Sequence, residues 1–61
     1  MFEYGNLRYI EDTGWVFISD SSREKIDKDG FIEVFNEIGI EGWELITFQN
    51  DVGYLFKREA D

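Results

Sequence analysis

Fourteen carboxylates are the only groups in this 61-residue sequence numerous enough to attempt general acid and base chemistry, because histidine and cysteine are both absent. A catalytic carboxyl pair needs a cleft that surrounds its substrate and raises one pKa by burial, and so short a chain has little volume to enclose one. Nucleophilic catalysis fares worse, since Ser19, Ser21 and Ser22 have no histidine to activate them and the lysines are only Lys25, Lys28 and Lys57. Asp27-Lys28-Asp29-Gly30 has the look of the middle of a calcium loop. Aligning Gly30 with the sixth loop position puts Lys25 where the first aspartate belongs and Asn36 where the bidentate glutamate belongs, so the match fails at both anchoring ends. The expectation is a protein that is not an enzyme and holds no metal or cofactor.

Binding chemistry has better candidates. Glu33 and Glu37 lie one helical turn apart on the side away from the apolar stripe, and Glu41 and Glu44 follow them. Together they read either as an ordinary solvated face or as an acidic surface that docks on a basic or apolar patch of another protein. Trp43 can stack on a planar ligand, although an aromatic at strand spacing more often belongs to a core. Lys57 and Arg58, with Arg8 and Arg23, can recognise a phosphate or carboxylate, or simply pair with glutamates such as Glu59 and Glu44.

The elements that must position these groups follow from periodicity. Phe2, Tyr4, Leu7, Tyr9 and Ile10 suit an extended strand whose apolar phase slips across Gly5-Asn6, which predicts a bulge or bend there. Glu11-Asp12-Thr13-Gly14 is turn chemistry, and Trp15-Val16-Phe17-Ile18 is a second strand, apolar on both faces and so expected to be covered on both. Ser19 to Asp29 reads as the longest loop, with at most a short helical turn around Arg23 to Ile26. Phe31, Val34, Phe35 and Ile38 fall at helical spacing, behind a cap at Asp27 or Asp29. Gly39 suits the left-handed position past the helix end, with Ile40 folding back on Phe35. Trp43 to about Gln49 and Tyr54 to Arg58 then form a hairpin around Asn50-Asp51-Val52-Gly53. The reading is a single α+β domain, residues 1–61, with a four-stranded, mainly antiparallel sheet in the order β-β-α-β-β and the helix packed on one face.

Composition bounds the partners. A net charge of −8 repels nucleic-acid phosphate and anionic lipid, so neither is an expected ligand. No apolar run approaches the ~20 residues of a membrane span, and the first residues lack the basic and apolar regions of an export signal, which predicts a cytoplasmic protein. Six Phe, three Tyr and two Trp supply more apolar surface than one helix on one sheet face can cover. With no cysteine for a disulfide, a homodimer is the expected place to bury the surplus.

One half of the chain also carries a resemblance. Gly39-Ile40-Glu41-Gly42-Trp43-Glu44-Leu45-Ile46, followed by a polar turn and Tyr54-Leu55-Phe56-Lys57-Arg58, resembles the end of a family of small bacterial and phage proteins catalogued as a domain of unknown function. In that family a helix ending in Gly runs into a Gly-Trp-Glu-Leu strand, and an aromatic Phe-Lys-Arg strand closes the hairpin. The segment from Glu11 to Asp20 departs from the pattern. The resemblance implies a compact α+β module. With the small size and acidity, it suggests a phage-encoded inhibitor that binds and blocks a bacterial defence protein in the host cytoplasm through Glu33, Glu37, Glu41 and Glu44. The alternative is a sequestering module that holds a small anionic ligand in an aromatic and basic pocket at a dimer interface, using Arg8, Arg23, Trp43, Lys57 and Arg58.

Overall fold

Strand-forming residues dominate both halves of the chain, and the computed structural model, which describes residues 1–20 and 22–60, assembles them into one antiparallel sheet with one helix. Ser21, one of the serines weighed as a nucleophile, lies outside the described residues. The elements in chain order are β1 (Phe2–Ile10), β2 (Gly14–Ser19), β3 (Arg23–Ile26), α1 (Phe31–Ile40), β4 (Glu44–Gln49) and β5 (Gly53–Glu59). The sheet runs β3-β2-β1-β5-β4, so β1 is its centre and the α1 connection carries the chain from one edge to the other. The α+β class and single helix agree with the sequence reading, but the sheet has five strands where four were expected.

The extra strand comes from the segment expected to be a loop. Arg23, Glu24 and Lys25 carry no apolar signal, yet they pair with Ile18, Phe17 and Val16. An edge strand needs one partner only, and charged residues there discourage a second. Ile26 is the single anchor, opposite Trp15 and buried in the core.

Further expectations are corrected. β1 has no bulge, for its pairing runs unbroken through Gly5 and Asn6 to both neighbours. Gly5 is there because the Phe17 ring lies on it: a β-carbon would stand 2.3 Å from Phe17 Cζ. The apolar phase slips because Phe2 and Tyr4 face one side of the sheet and Leu7 and Tyr9 the other. The irregularity in the sheet falls instead in β4, between Leu45 and Thr47.

The helix is capped by neither aspartate. Gly30 takes the N-cap position without a side-chain bond, and its carbonyl accepts from the Val34 N–H at 3.0 Å. At the other end α1 runs through Gly39, and the left-handed position falls to Gly42 at φ +90°. Ile40 does not fold back on Phe35 but stands 81% exposed.

The core lies between α1 and one sheet face. Val34 and Ile38 meet Leu7, Phe17, Phe56, Ile26 and Trp43, with Trp15, Phe35 and Tyr54 packed around them. Phe31, expected on the same stripe, is half exposed but stacks on Trp15, with ring centroids 6.2 Å apart. The other sheet face is covered by no helix or second sheet among the described residues, so the cover expected on both sides of β2 comes there from neighbouring side chains alone, Val16 on that face being buried.

Candidate functional site

The last turn of α1 contains no basic residue, and Glu37 and Glu41 stand there at the negative end of the helix dipole. Like charges one turn apart are mildly unfavourable in such a place, so local stability does not account for them. Arg58, arriving on β5 from the far end of the sequence, answers the helix end instead. Its Nη1 donates to the Glu41 carbonyl at 2.9 Å, its Nε pairs with Glu3, and its guanidinium lies 4.4 Å above the Trp43 ring.

Beside this cluster runs a groove of about 280 Å³. Phe17, Ile26, Ile38 and Trp43 form its apolar wall, Glu24, Glu37 and Glu41 line it with acid, and Arg58 itself is its one basic lining residue among the described residues. Ser19 and Ser22 close one end, their hydroxyls 3.0 Å apart. Glu24 is not marked out by the sequence, because the polar run from Ser19 to Asp29 carries no sustained strand signal. The available signal was its spacing of two from Ile26, which puts both on the helix side of a strand.

The four glutamates expected to form one acidic surface divide between three places. Glu37 and Glu41 share the groove. Glu33 lies at the opposite end of α1, its carboxylate 2.7 Å from where a β-carbon on Gly30 would stand, in the favourable first turn of the dipole. Glu44 belongs to β4 and sits opposite Lys57, on the sheet face away from the helix, because Phe56 beside Lys57 points into the core.

The five residues of the ligand-binding alternative are dispersed as well. Trp43 is 8% exposed, edge-on to Phe17 with centroids 5.0 Å apart, and one of its faces is occupied by Arg58. Lys57 lies over Phe2, 4.8 Å from the ring centroid. Arg8 and Arg23 alternate with Leu7 and Glu24, which places them with Lys57 on the outer face.

A second hollow, of about 340 Å³, opens at the other end of the strands. Tyr9 and Trp15 come together across the β1–β2 turn, Phe48 and Tyr54 across the β4–β5 turn, and these four rings line it with Arg8 and Asp51. Tyr9 and Phe48 were not singled out in the sequence. The signal lay in the two hairpin registers, since both turns fall at the same end of the sheet.

Among the described residues no three carboxylates gather closely enough to hold a metal ion. No helix is long and apolar enough to cross a membrane. Comparison with protein-family models, with curated proteins and with solved structures returned no match.

Proposed function

We propose that this chain is a non-catalytic binding module whose acidic groove receives a lysine or arginine from the surface of another protein and blocks that surface. The observation that carries the reading is the combination at the C-terminal end of α1: three carboxylates beside an apolar wall, with Arg58 already engaged by Glu3, the Glu41 carbonyl and the Trp43 ring. An apolar wall accepts the aliphatic stem of a long cationic side chain, and the carboxylates meet its charged head. Placing Glu37 and Glu41 against the helix dipole is the kind of local conflict that functional surfaces keep. The net charge of −8 steers a basic target toward the chain.

The resemblance adds a finer proposal, that the module is phage-encoded and its target a bacterial defence protein. The test is capture from bacterial lysate with immobilised protein, followed by affinity measurement on the purified target. The triple change Glu24→Gln, Glu37→Gln and Glu41→Gln weakens binding by about tenfold or more, and raised salt weakens the unmutated protein. Equal capture by folded wild type and triple variant, with no salt dependence, would sink the groove reading.

A second reading is favoured by the aromatic hollow. Tyr9, Trp15, Phe48 and Tyr54 offer ring faces and Arg8 a cation, a set suited to a planar anionic ligand. Of the residues expected in such a pocket, Arg8 is the one that lines it. Native mass spectrometry of gently purified protein tests this reading, since a retained ligand appears as a discrete added mass that Phe48→Ala removes.

A further inference from the structure

The sheet ends in two edges of opposite character. At one, β3 exposes Arg23, Glu24 and Lys25, charged side chains of the kind that discourage a further strand. At the other, β4 is exposed at every residue, and Leu45, Ile46 and Phe48 each show about half of their surface. β5 pairs with β4 on one side, and no strand among the described residues pairs with it on the other, so its outward N–H and C=O groups are left to solvent. Above this edge α1 leaves a step. Leu45 and Phe48 oppose Phe56 and Tyr54, which places both on the helix side. Phe35 meets Tyr54 and Phe56 from above, and Ile32 and Gly39, three residues before it and four after, lie on the same flank of the helix. Ile32 is 69% exposed, and a β-carbon on Gly39 would meet nothing within 4 Å. The open edge is therefore bordered by an apolar step.

We propose that β4 takes up a short extended segment of another protein as an added strand, one with apolar side chains at alternate positions and a lysine or arginine at each end. Backbone pairing supplies affinity common to any strand, and the step on the helix side selects the alternate side chains. Charge selects the ends. Glu44 opens β4 and Asp51 lies in the turn that follows it, and neither takes part in an ion pair among the described residues. Two carboxylates thus bracket the apolar run, and basic ends on the incoming strand answer them. The irregularity between Leu45 and Thr47 interrupts the regular edge, which keeps the segment short.

The same charges reject a second copy of the chain at this edge. Antiparallel pairing of β4 with itself about a two-fold axis opposes residues that are equally distant from the axis. Centred on Thr47 or Phe48, it sets Asp51 one position from Glu44 of the second copy. Centred on Ile46, it sets Asp51 opposite Glu41 and brings the two irregularities together, and centred on Leu45 it leaves the two Glu44 side chains two positions apart. Every such register sets acid near acid. With a net charge of −8 on each copy as well, a partner of opposite sign is the occupant that fits.

This edge lies across the sheet from β3, which borders the acidic groove, so the two sites fail separately. The experiment is selection of a random library of peptides about nine residues long on the immobilised wild-type protein, followed by titration of the enriched peptide. Enriched sequences are expected to alternate apolar residues between basic ends, and the bound peptide to protect backbone amides of β4 from hydrogen exchange. Ile46→Lys, at a half-exposed position, weakens that peptide by about tenfold or more, because charge on an edge strand opposes pairing. Glu44→Gln with Asp51→Asn, or glutamate at both ends of the peptide, weakens it by about fivefold or more with the apolar positions untouched. No enriched sequence, enriched sequences without basic ends, or a peptide that none of these changes weakens overturns the proposal. A peptide weakened only by the triple change Glu24→Gln, Glu37→Gln and Glu41→Gln belongs to the groove, which overturns the proposal and favours the groove reading. Sedimentation equilibrium reads the remaining occupant: a species of twice 7.2 kDa that Ile46→Lys dissociates puts a second copy on β4 and overturns the choice of partner.

Discussion

Leu7 and Arg8 are neighbours in β1, yet they belong to surfaces with different physics. Leu7 has no exposed area and sits among Phe17, Val34 and Phe56 under α1, while Arg8 opens onto a face that no element covers among the described residues. The helix side is held by interlocking rings: Phe17 meets Trp43 and Phe56 edge-on at 5.0 and 5.9 Å, and Phe35 meets Phe31, Tyr54 and Phe56 in the same way at 4.6 to 5.6 Å. Such contacts add about 0.5–1.5 kcal/mol each beyond simple burial. The outer side is held by the strands beneath it. One face thus makes the domain stable, and the other is free to be charged.

The largest effect should come from breaking the covered face. Leu7→Ala is expected to cost about 2–5 kcal/mol, against a total stability of about 3–9 kcal/mol for a chain of this length, so urea denaturation should find it largely unfolded or nearly so. Arg8→Ala, one residue along, should cost less than about 1 kcal/mol. Equal losses for the two would dissolve the distinction between the faces.

Two glycines sharpen the comparison. Gly5→Ala drives a β-carbon into the Phe17 ring and should destabilise by about 1–3 kcal/mol. Gly39 lies inside α1 with nothing within 4 Å of an added β-carbon, and Gly39→Ala should stabilise by about 0.5–1 kcal/mol in the same denaturation assay. If both changes shift the midpoint in the same direction, the packing account of Gly5 is wrong.

Arg58 joins the core to the groove, and its side chain is about one third exposed. Arg58→Ala removes the Glu3 pair, the bond to the Glu41 carbonyl and the cover on Trp43. After allowance for solvent screening the expected loss is about 1–2 kcal/mol, with Trp43 fluorescence reporting its exposure. The smallest effect on folding belongs to Glu37→Gln with Glu41→Gln. Removing negative charge from the C-terminal end of α1 should leave the melting temperature unchanged or slightly raised. A marked loss of stability would show that these carboxylates serve the fold and not a partner.

Much of this architecture is legible in the chain. The period of Phe31, Val34, Phe35 and Ile38, the turn chemistry at residues 11–14 and 50–53, and the alternation in the closing hairpin are local signals, because backbone geometry alone sets the spacing of side chains on a face. Arg23 to Ile26 was illegible for the converse reason: its strand exists because β2 offers it a paired edge, and nothing in Arg-Glu-Lys declares that partner. The helix boundaries were displaced by one to three residues, since Gly30 can cap where Asp29 stands one place too early, and Gly39 can remain helical while Gly42 makes the turn.

The candidate sites divide in the same way. Residue type and spacing by themselves determined that the chain has neither histidine nor cysteine, that it is acidic, and that it holds more aromatic surface than one helix covers. Only the tertiary structure decided that Glu44 leaves Glu37 and Glu41 for the other side of the sheet, that Glu24 joins them, and that the cations collect on the uncovered face. The reason is geometric. A side chain's neighbours along the chain are set by the backbone, but its neighbours across strands and around a helix end are set by register and by the crossing of α1 from β3 to β4, and those exist only once the sheet has closed.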